Sequence, residues 1–375
     1  MRYLILLLSI ILTLQAQDWP VFRGDTRLSG VANAQIVKEP KLRFTFTTGK
    51  KIASSPVIAN GVIYVGSADK QLYAIATNGK KLWSFLSSNA FEAPPFVLGE
   101  TVYAGSADGE FYALNAKTGA LQWKHTTDGA IMGSANSITH NGETLIIVGS
   151  YDNMLYALSA KTGRVVWSYE TDNYINGAPA IDNGRIVFGG CDGMLHVLTS
   201  AGKSNAAIAV ESYIAASPCL DGNRAYAGNY GNKLIAADLV KKKIVWQFGD
   251  EKDGAPFFSS PATDGTSVIA GSRDNALYCV NAANGKKTWS FISRGNMDAS
   301  PVIAGDAVLA PSMDGTFYIL SLAKGAVRWS YDTGSHISAS PAVGEGLIII
   351  AAENGIVYAF DGALPAVQKK QGKTK

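Results

Sequence analysis

The feature of this 375-residue sequence that most constrains its fold is a unit that recurs about every 40 residues. Seven units are marked by a proline that mostly follows small residues, and an eighth is marked by Ala135-Asn136 without the proline. The prolines are Pro56, Pro95, Pro179, Pro218, Pro261, Pro301 and Pro341. A short repeat of this kind buries its apolar face only by stacking on its neighbours, so we expect one continuous array of eight units.

Each unit reads as four short strands. In the first, apolar stretches at 56–59, 62–66, 71–76 and 81–85 are separated by turns at Asn60-Gly61, Asp69 and Asn78-Gly79. Asn-Gly suits tight hairpins because both residues tolerate positive φ. No stretch shows sustained helical periodicity. The sequence therefore predicts an all-β chain of four-stranded antiparallel sheets.

The two ends of the repeat array complement each other. The final unit supplies three strands and ends near 356–360 without a fourth. The missing strand has a counterpart near the N-terminus, where residues 41–46 match 81–85 with Phe44 in place of Trp83. Such a strand would close the ring and remove its free sheet edges. We therefore predict an eight-bladed β-propeller over residues 41–362, with its last blade closed by an N-terminal strand.

Tryptophan recurs at one position of the fourth strand. The residues are Trp83, Trp123, Trp167, Trp246, Trp289 and Trp329, whereas the fourth unit has Ala206. A large ring at a fixed place in the outer strands can pack between adjacent sheets, so we interpret these residues as structural.

The run Ala113-Leu-Asn-Ala-Lys-Thr-Gly-Ala-Leu-Gln-Trp123, with relatives at 157–167 and 279–289, resembles the tryptophan-docking motif of pyrroloquinoline-quinone-type (PQQ-like) propellers. The segment 18–24 resembles the stretch that precedes such propellers in exported bacterial proteins. The Gly-His and Trp-Asp marks of the WD40 family are absent from the sequence. This resemblance implies one of two branches, quinone-dependent dehydrogenases or non-catalytic proteins of the BamB type, and the short blades are nearer to the second.

The ends of the chain suggest export. Residues 1–16 combine Arg2 with a short apolar run, which predicts a cleaved signal peptide, followed by an N-terminal segment at 17–40 that leads into the propeller. The run lacks a lipid-attachment cysteine, and no apolar segment is long enough to span a membrane. We expect a periplasmic or secreted protein with a disordered, lysine-rich tail at 363–375. The formal net charge of +3 comes from these two ends, so nucleic-acid binding is not indicated.

The sequence offers little catalytic chemistry. The four histidines are scattered, and the turn aspartates, one per hairpin, are too sparse for a calcium loop and are interpreted as turn caps. The resemblance implies that a dehydrogenase would need calcium, a catalytic base and large inserts, and this chain has little inserted material. We expect no cofactor and no enzymatic activity. Cys191, Cys219 and Cys279 are interpreted as small buried residues, with a Cys191–Cys219 bridge as the alternative.

Residues that vary at one offset of the repeat are candidates for recognition. Three places before each anchor, near the expected channel mouth, lie Ala53, Glu92, Gly133, Asn176, Ala215, Phe258, Asp298 and Ser338, which we call the inner ring. Two places further back lie Lys51, Ala90, Ile131, Tyr174, Tyr213, Pro256, Asn296 and His336, which we call the outer ring. The candidate contacts are Glu92, Asn176, Phe258, Asp298, Tyr174, Tyr213 and His336. The alternative is that both rings simply pack and solvate the mouth.

Three functions remain open from the sequence. The first is a monomeric scaffold of the BamB type that binds a protein partner of the cell envelope. The second is a small quinoprotein oxidoreductase with PQQ and calcium, and the third is a propeller that binds glycans or cell-surface ligands, with Tyr174 and Tyr213 as stacking platforms.

Overall fold

The computed structural model describes residues 18–250, 252 and 254–365, and its described residues form eight blades of four strands each, with one short additional strand. Blade 1 contains β3 (Val57–Ala59), β4 (Val62–Gly66), β5 (Gln71–Ala76) and β6 (Lys81–Leu86). Blade 2 contains β7 (Phe96–Leu98), β8 (Thr101–Gly105), β9 (Glu110–Asn115) and β10 (Leu121–Thr126). Blade 3 contains β11 (Asn136–His140), β12 (Glu143–Gly149), β13 (Met154–Ser159) and β14 (Val165–Glu170). Blade 4 contains β15 (Ala180–Asp182), β16 (Arg185–Gly189), β17 (Met194–Thr199) and β18 (Ser204–Ala209).

The second half of the ring repeats this order. Blade 5 contains β19 (Cys219–Asp221), β20 (Arg224–Gly228), β21 (Leu234–Asp238) and β22 (Lys243–Phe248). Blade 6 contains β23 (Ala262–Thr263), β24 (Ser267–Gly271), β25 (Ala276–Asn281) and β26 (Lys287–Ile292). Blade 7 contains β27 (Val302–Ala304), β28 (Ala307–Pro311), β29 (Thr316–Ser321) and β30 (Val327–Asp332), and β1 (Val31–Ala32) pairs with β27 in parallel. Blade 8 contains β31 (Ala342–Gly344), β32 (Leu347–Ala351), β33 (Ile356–Pro365) and β2 (Ala34–Thr47). The predicted eight-bladed antiparallel propeller is confirmed.

The N-terminal strand β2 closes the ring as predicted. It pairs antiparallel with β33, and Phe44 lies opposite Ala359, as Trp83 lies opposite Ala74 in blade 1. β2 begins at Ala34, before the predicted start at Lys41, and β33 continues to Pro365. The predicted signal peptide and the rest of the lysine-rich tail lie outside the described residues. None of the described residues forms a helix, so none supplies an apolar helix that could cross a membrane.

The recurring tryptophans join neighbouring blades. Trp83 lies over the β9–β10 turn of the next blade, where its indole Nε1 donates a hydrogen bond to the Ala116 carbonyl at 3.0 Å. Gly119 of that turn has φ 72°, and a Cβ on it would lie 2.7 Å from the indole ring. The same indole-to-carbonyl bond is made by Trp123, Trp167, Trp246 and Trp289. Trp329, next to the closing blade, packs instead against Phe317 and Phe360.

Blade 4 departs from this rule as the sequence predicts. Ala206 lies opposite Val197, at the position that tryptophan holds in six of the other blades. The turn that it faces in blade 5 has Lys242 in place of glycine, with φ 55°. The Lys242 ammonium donates a hydrogen bond to the Asn205 carbonyl at 2.6 Å, on the exposed surface of this turn. The tryptophan and its partner glycine are therefore lost together.

The hairpin aspartates have the structural role expected of them. Asp69 accepts a hydrogen bond from the Gln71 N–H at 3.0 Å and another from the Tyr73 hydroxyl at 2.7 Å. Asp152, Asp274 and Asp314 form the same pair of bonds in blades 3, 6 and 7. In blade 4, His196 replaces the tyrosine, and its Nε2 lies 2.8 Å from Asp192. These carboxylates are thus engaged in turns.

The N-terminal segment does more than lead into the ring. Residues 18–32, which we call the strap, cross the centre of the propeller and bond to the innermost strands of blades 1 to 7 in order. The bonded residues are Ile58, Val97, Asn136, Ile181, Leu220, Thr263 and Ile303. Asp18 accepts the Asn60 N–H in the turn where β3 ends, which places this part of the strap opposite the mouth. The strap therefore links blades 1 to 7 at the end of the channel far from the mouth.

The three cysteines are unpaired. Cys219 and Cys279 are buried as expected, whereas Cys191 is only partly buried. Burial raises the pKa of Cys219 to about 12 and that of Cys279 to about 11. The alternative of a Cys191–Cys219 bridge is wrong for this structure.

Candidate functional site

The channel mouth opens into a cavity of about 270 Å³ at the centre of the ring. Four of the predicted contact residues, Glu92, Asn176, Phe258 and Asp298, line this one cavity. Phe22 of the strap also lines it and is almost completely buried. Because the strap crosses the channel on the far side, the cavity is a blind funnel that is accessible from the mouth.

A circle of serines holds the funnel wall. The serine before the anchor proline accepts a hydrogen bond from the backbone N–H at the same position of the preceding blade. These bonds, of 2.7 to 3.0 Å, run from Ala178 through Ser217, Ser260, Ser300 and Ser340 to Ser55. Neutral hydrogen bonds of this kind are worth about 1 kcal/mol each. These bonds therefore tie together the innermost segments of blades 4 to 8 and blade 1.

One predicted position in each ring is wrong by one residue. In blade 3, Asn136 was aligned with the anchor proline, yet it pairs with Ile147 as Val57 pairs with Tyr64. The inner-ring residue of that blade is therefore Met132 rather than Gly133, and the outer-ring residue is Ala130 rather than Ile131. Ile131 is fully buried. The error arose because this unit lacks the proline, so the sequence alone left its register unfixed.

A third ring of residues completes the mouth. It consists of one position in the hairpin between the second and third strands of each blade, the position of x in the Gly-Ser-x-Asp sequence of blades 1, 2, 3 and 6. We call it the hairpin ring. Its members are Ala68, Ala107, Tyr151, Cys191, Tyr230, Arg273, Met313 and Glu353. Their backbone N–H groups bond to carbonyls of the outer ring, for example Tyr230 to Tyr213 and Glu353 to His336, both at 2.9 Å. This ring was not predicted from the sequence, although the varying residue before the turn aspartate was a usable signal.

The hairpin ring binds side chains of the inner ring. The Tyr151 hydroxyl donates to the Asn176 amide oxygen at 2.5 Å, and Tyr151 stacks on Tyr174 with ring centroids 5.0 Å apart. Burial raises the pKa of Tyr151 to about 12, so its hydroxyl is protonated at neutral pH. Arg273 forms a two-bond ion pair with Asp298, at 3.1 and 3.0 Å.

Aromatic side chains dominate one sector of this surface. Arg273 lies 4.0 Å above the Phe258 ring, which meets Tyr230 edge to face at 6.0 Å. Tyr174, Tyr213 and Tyr230 are 49%, 55% and 41% exposed. His336, the remaining predicted contact, is exposed on the opposite sector, where its Nδ1 contacts the Met313 carbonyl. We call the three rings together the mouth face.

The residues of the funnel do not fit a quinone with calcium, the cofactor pair of the family's dehydrogenase branch. Calcium takes six to eight oxygen ligands. The funnel's carboxylates are Glu92 and Asp298, and Asp298 is already paired with Arg273. Within the described parts of the chain, no three side chains of His, Cys, Asp or Glu are grouped to hold a metal. The cavity is also smaller than the roughly 300 to 1,000 Å³ of typical small-molecule sites.

Comparison with known proteins supports one family. The model of the outer membrane protein assembly factor BamB matches residues 26–248 and 243–374. No curated protein sequence matches this chain. Similar structures include BamB from Moraxella catarrhalis, with 17% identity, a TM-score of 0.71, and coverage of 86% of this chain and 100% of that one. The quinohemoprotein alcohol dehydrogenase from Comamonas testosteroni has 14% identity, a TM-score of 0.77 and coverage of 96% and 82%. At such identities the structures show the shared propeller fold alone.

Proposed function

Because the chain belongs to the family of the outer membrane protein assembly factor BamB, we propose that it is a non-catalytic propeller that binds a protein partner through its mouth face. The observation that carries this proposal is the exposure of Tyr174, Tyr213 and Tyr230 beside the blind funnel. Tyrosine and arginine are the residue types most enriched at the energetic centres of protein interfaces.

The backbone of the mouth face supports the same proposal. Serine bonds fix the inner segments, and backbone bonds join the hairpins to the outer ring. A surface of this kind loses little conformational entropy when a partner binds, because its backbone is already ordered. The partner would be a protein of the cell envelope, in keeping with the family and with the signal peptide predicted at 1–16.

The test is affinity capture from cell envelopes with the tagged mature protein. The double variant Tyr174→Ser and Tyr213→Ser should reduce capture of outer membrane assembly proteins at least tenfold, roughly the loss expected for interface centres. The matched control is Leu121→Ser with Val327→Ser, which changes two exposed apolar residues at the start of outer strands, at the end of the blades opposite the mouth. Equal capture by both double variants would contradict the proposal.

A quinone titration tests the enzyme alternative separately. Because the funnel's donors do not fit calcium and quinone, PQQ added with calcium should give no saturable change in cofactor absorbance. Saturable binding that is lost in Glu92→Gln would instead make an oxidoreductase the better account.

A further inference from the structure

Two blades share a side-chain pairing at the mouth that is absent at a third, equivalent place. In blade 3, the hairpin-ring residue Tyr151 bonds to Asn176, the inner-ring residue that follows that blade. In blade 6, the hairpin-ring residue Arg273 bonds to the following inner-ring residue, Asp298. A polar inner-ring residue at these two places therefore receives its hydrogen-bond donor from the hairpin of the blade before it.

Glu92 stands at the same place after blade 1, but its donor is missing. The hairpin-ring residue of blade 1 is Ala68, and the inner-ring residue before that blade is Ala53, where blade 6 has Phe258. Both alanines are too short to reach or cover the Glu92 carboxylate. In the described parts of the chain, no hydrogen bond or ion pair involves this carboxylate, which is only partly buried and lines the funnel. Lys51 of the outer ring is exposed and forms no ion pair with it.

Between Glu92 and the aromatic sector, no other position of the three rings has a charged side chain. At the ring positions of blades 2 to 5, the remaining side chains are apolar, aromatic or uncharged. Across the funnel lie Asn176 and Phe258, which also line the cavity, with Tyr151 and Tyr230 in contact with them. Of the two carboxylates that line the funnel, Asp298 is paired with Arg273, whereas Glu92 has no partner among the described residues and faces an aromatic sector. A partly desolvated carboxylate in such a place binds a cation more strongly than one in bulk water.

Resting on the proposed function, we propose that the Glu92 position is a binding site for an arginine side chain presented by a loop of the protein partner. The guanidinium would pair with Glu92 and enter the space that Ala53 and Ala68 leave open, as Arg273 does with Asp298 and Phe258. Arginine is favoured over lysine because a planar guanidinium bonds a carboxylate through two N–H groups, as Arg273 bonds Asp298. The funnel volume of about 270 Å³ suits one side chain rather than a folded segment.

The experiment uses the mature protein and three blocked pentapeptides, acetyl-Gly-Gly-X-Gly-Gly-amide, in which X is arginine, lysine or citrulline. Citrulline has nearly the shape of arginine without its charge. Titration calorimetry should show that the arginine peptide binds about tenfold more tightly than the citrulline peptide, the effect of a charge-assisted hydrogen-bonded pair. Glu92→Gln should remove that difference, whereas the matched control Glu100→Gln, in an exposed turn at the other end of blade 2, should preserve it.

A second variant tests whether an arginine of the protein itself can occupy the site beside Glu92. Ala68→Arg places an arginine where blade 6 has Arg273, so it should pair with Glu92 and block the arginine peptide. Adding Glu92→Gln to this variant should abolish any gain in thermal stability that the new pair gives. Equal binding of the arginine and citrulline peptides, or arginine binding unchanged by Glu92→Gln and Ala68→Arg, would overturn the inference.

The failure of this inference is distinguishable from failure of the proposed function. If the peptides fail to discriminate but capture of envelope proteins still depends on Tyr174 and Tyr213, the arginine site is wrong and the scaffold role stands. If the arginine peptide binds through Glu92 but no envelope protein is captured at the mouth, the site stands and the scaffold role is wrong.

Discussion

Replacing Gly119 by alanine should destabilise the protein through its contact with Trp83 of the preceding blade. Gly119 has φ 72°, a conformation that costs an L-residue about 1 to 2 kcal/mol. The added Cβ would lie 2.7 Å from the indole ring, and such overpacking costs about 1 to 3 kcal/mol more. We therefore expect Gly119→Ala to lower the free energy of unfolding by about 2 to 5 kcal/mol.

The same substitution should cost less when the indole is absent. In a Trp83→Ala background the overpacking disappears, so only the conformational cost of about 1 to 2 kcal/mol remains. Urea unfolding of the wild type, both single variants and the double variant, followed by circular dichroism, measures the coupling. We expect a coupling of about 1 to 3 kcal/mol. Additive effects, within about 0.5 kcal/mol, would refute the view that glycine is required there by the indole ring.

The protein contains its own control for this cycle. Blade 4 has Ala206 in place of tryptophan, and the facing turn of blade 5 has Lys242 at the glycine position with φ 55°. Lys242→Gly should therefore not destabilise the protein through packing, because it relieves the positive φ and has no indole to accommodate.

Four further predictions follow from the same structure. Burial alone would raise the pKa of Asp314, but hydrogen bonds from the Arg294 and Thr316 N–H groups and from the Tyr318 hydroxyl outweigh it, so this pKa is lowered. Asp314→Asn should therefore lower the free energy of unfolding above about pH 4. The difference in urea midpoint between the variant and the wild type should shrink as the pH falls below that value. Phe22→Ala removes a buried ring between the strap and the funnel, so it should lower the free energy of unfolding by about 3 to 5 kcal/mol in urea titrations, whereas a loss below about 1 kcal/mol would show that the strap adds little. Maleimide at neutral pH should label only Cys191 in the native protein, since Cys219 and Cys279 are buried, and a mass spectrum showing three rapid additions would contradict this burial. Mass spectrometry of the exported protein should give an N-terminus at Gln17, and an intact Met1 would contradict the predicted signal peptide.

The propeller itself was predictable because its signals repeat. Eight copies of one pattern averaged out local ambiguity, so the blades, the closing strand with Phe44 and the gap at Ala206 were all found from sequence. The register of blade 3 was not, because a single unit without the proline has no neighbour to correct it. A repeated sequence pattern thus predicts the array of blades more reliably than it predicts the register of any single blade.

The strap and the hairpin ring were harder to predict for different reasons. The strap, residues 18–32, occurs once and bonds largely through its backbone, which leaves no periodic side-chain signal. The hairpin ring was visible as variation beside an aspartate that six of the eight blades share. Its importance depends on contacts between blades, such as Arg273 with Asp298, that sequence spacing does not give. The candidate site was therefore located in part, through Glu92, Asn176, Phe258 and Asp298.

The most direct test of the scaffold role is site-specific photo-crosslinking in the living cell. A photoreactive phenylalanine derivative would replace Tyr174 or Tyr213 on the mouth face, and Leu121 or Val327, at the opposite end of the outer strands, as controls. Partner binding at the mouth predicts a discrete crosslinked envelope protein from the tyrosine positions and none from the control positions. Crosslinks from the outer strands alone, with none at the mouth, would contradict this account.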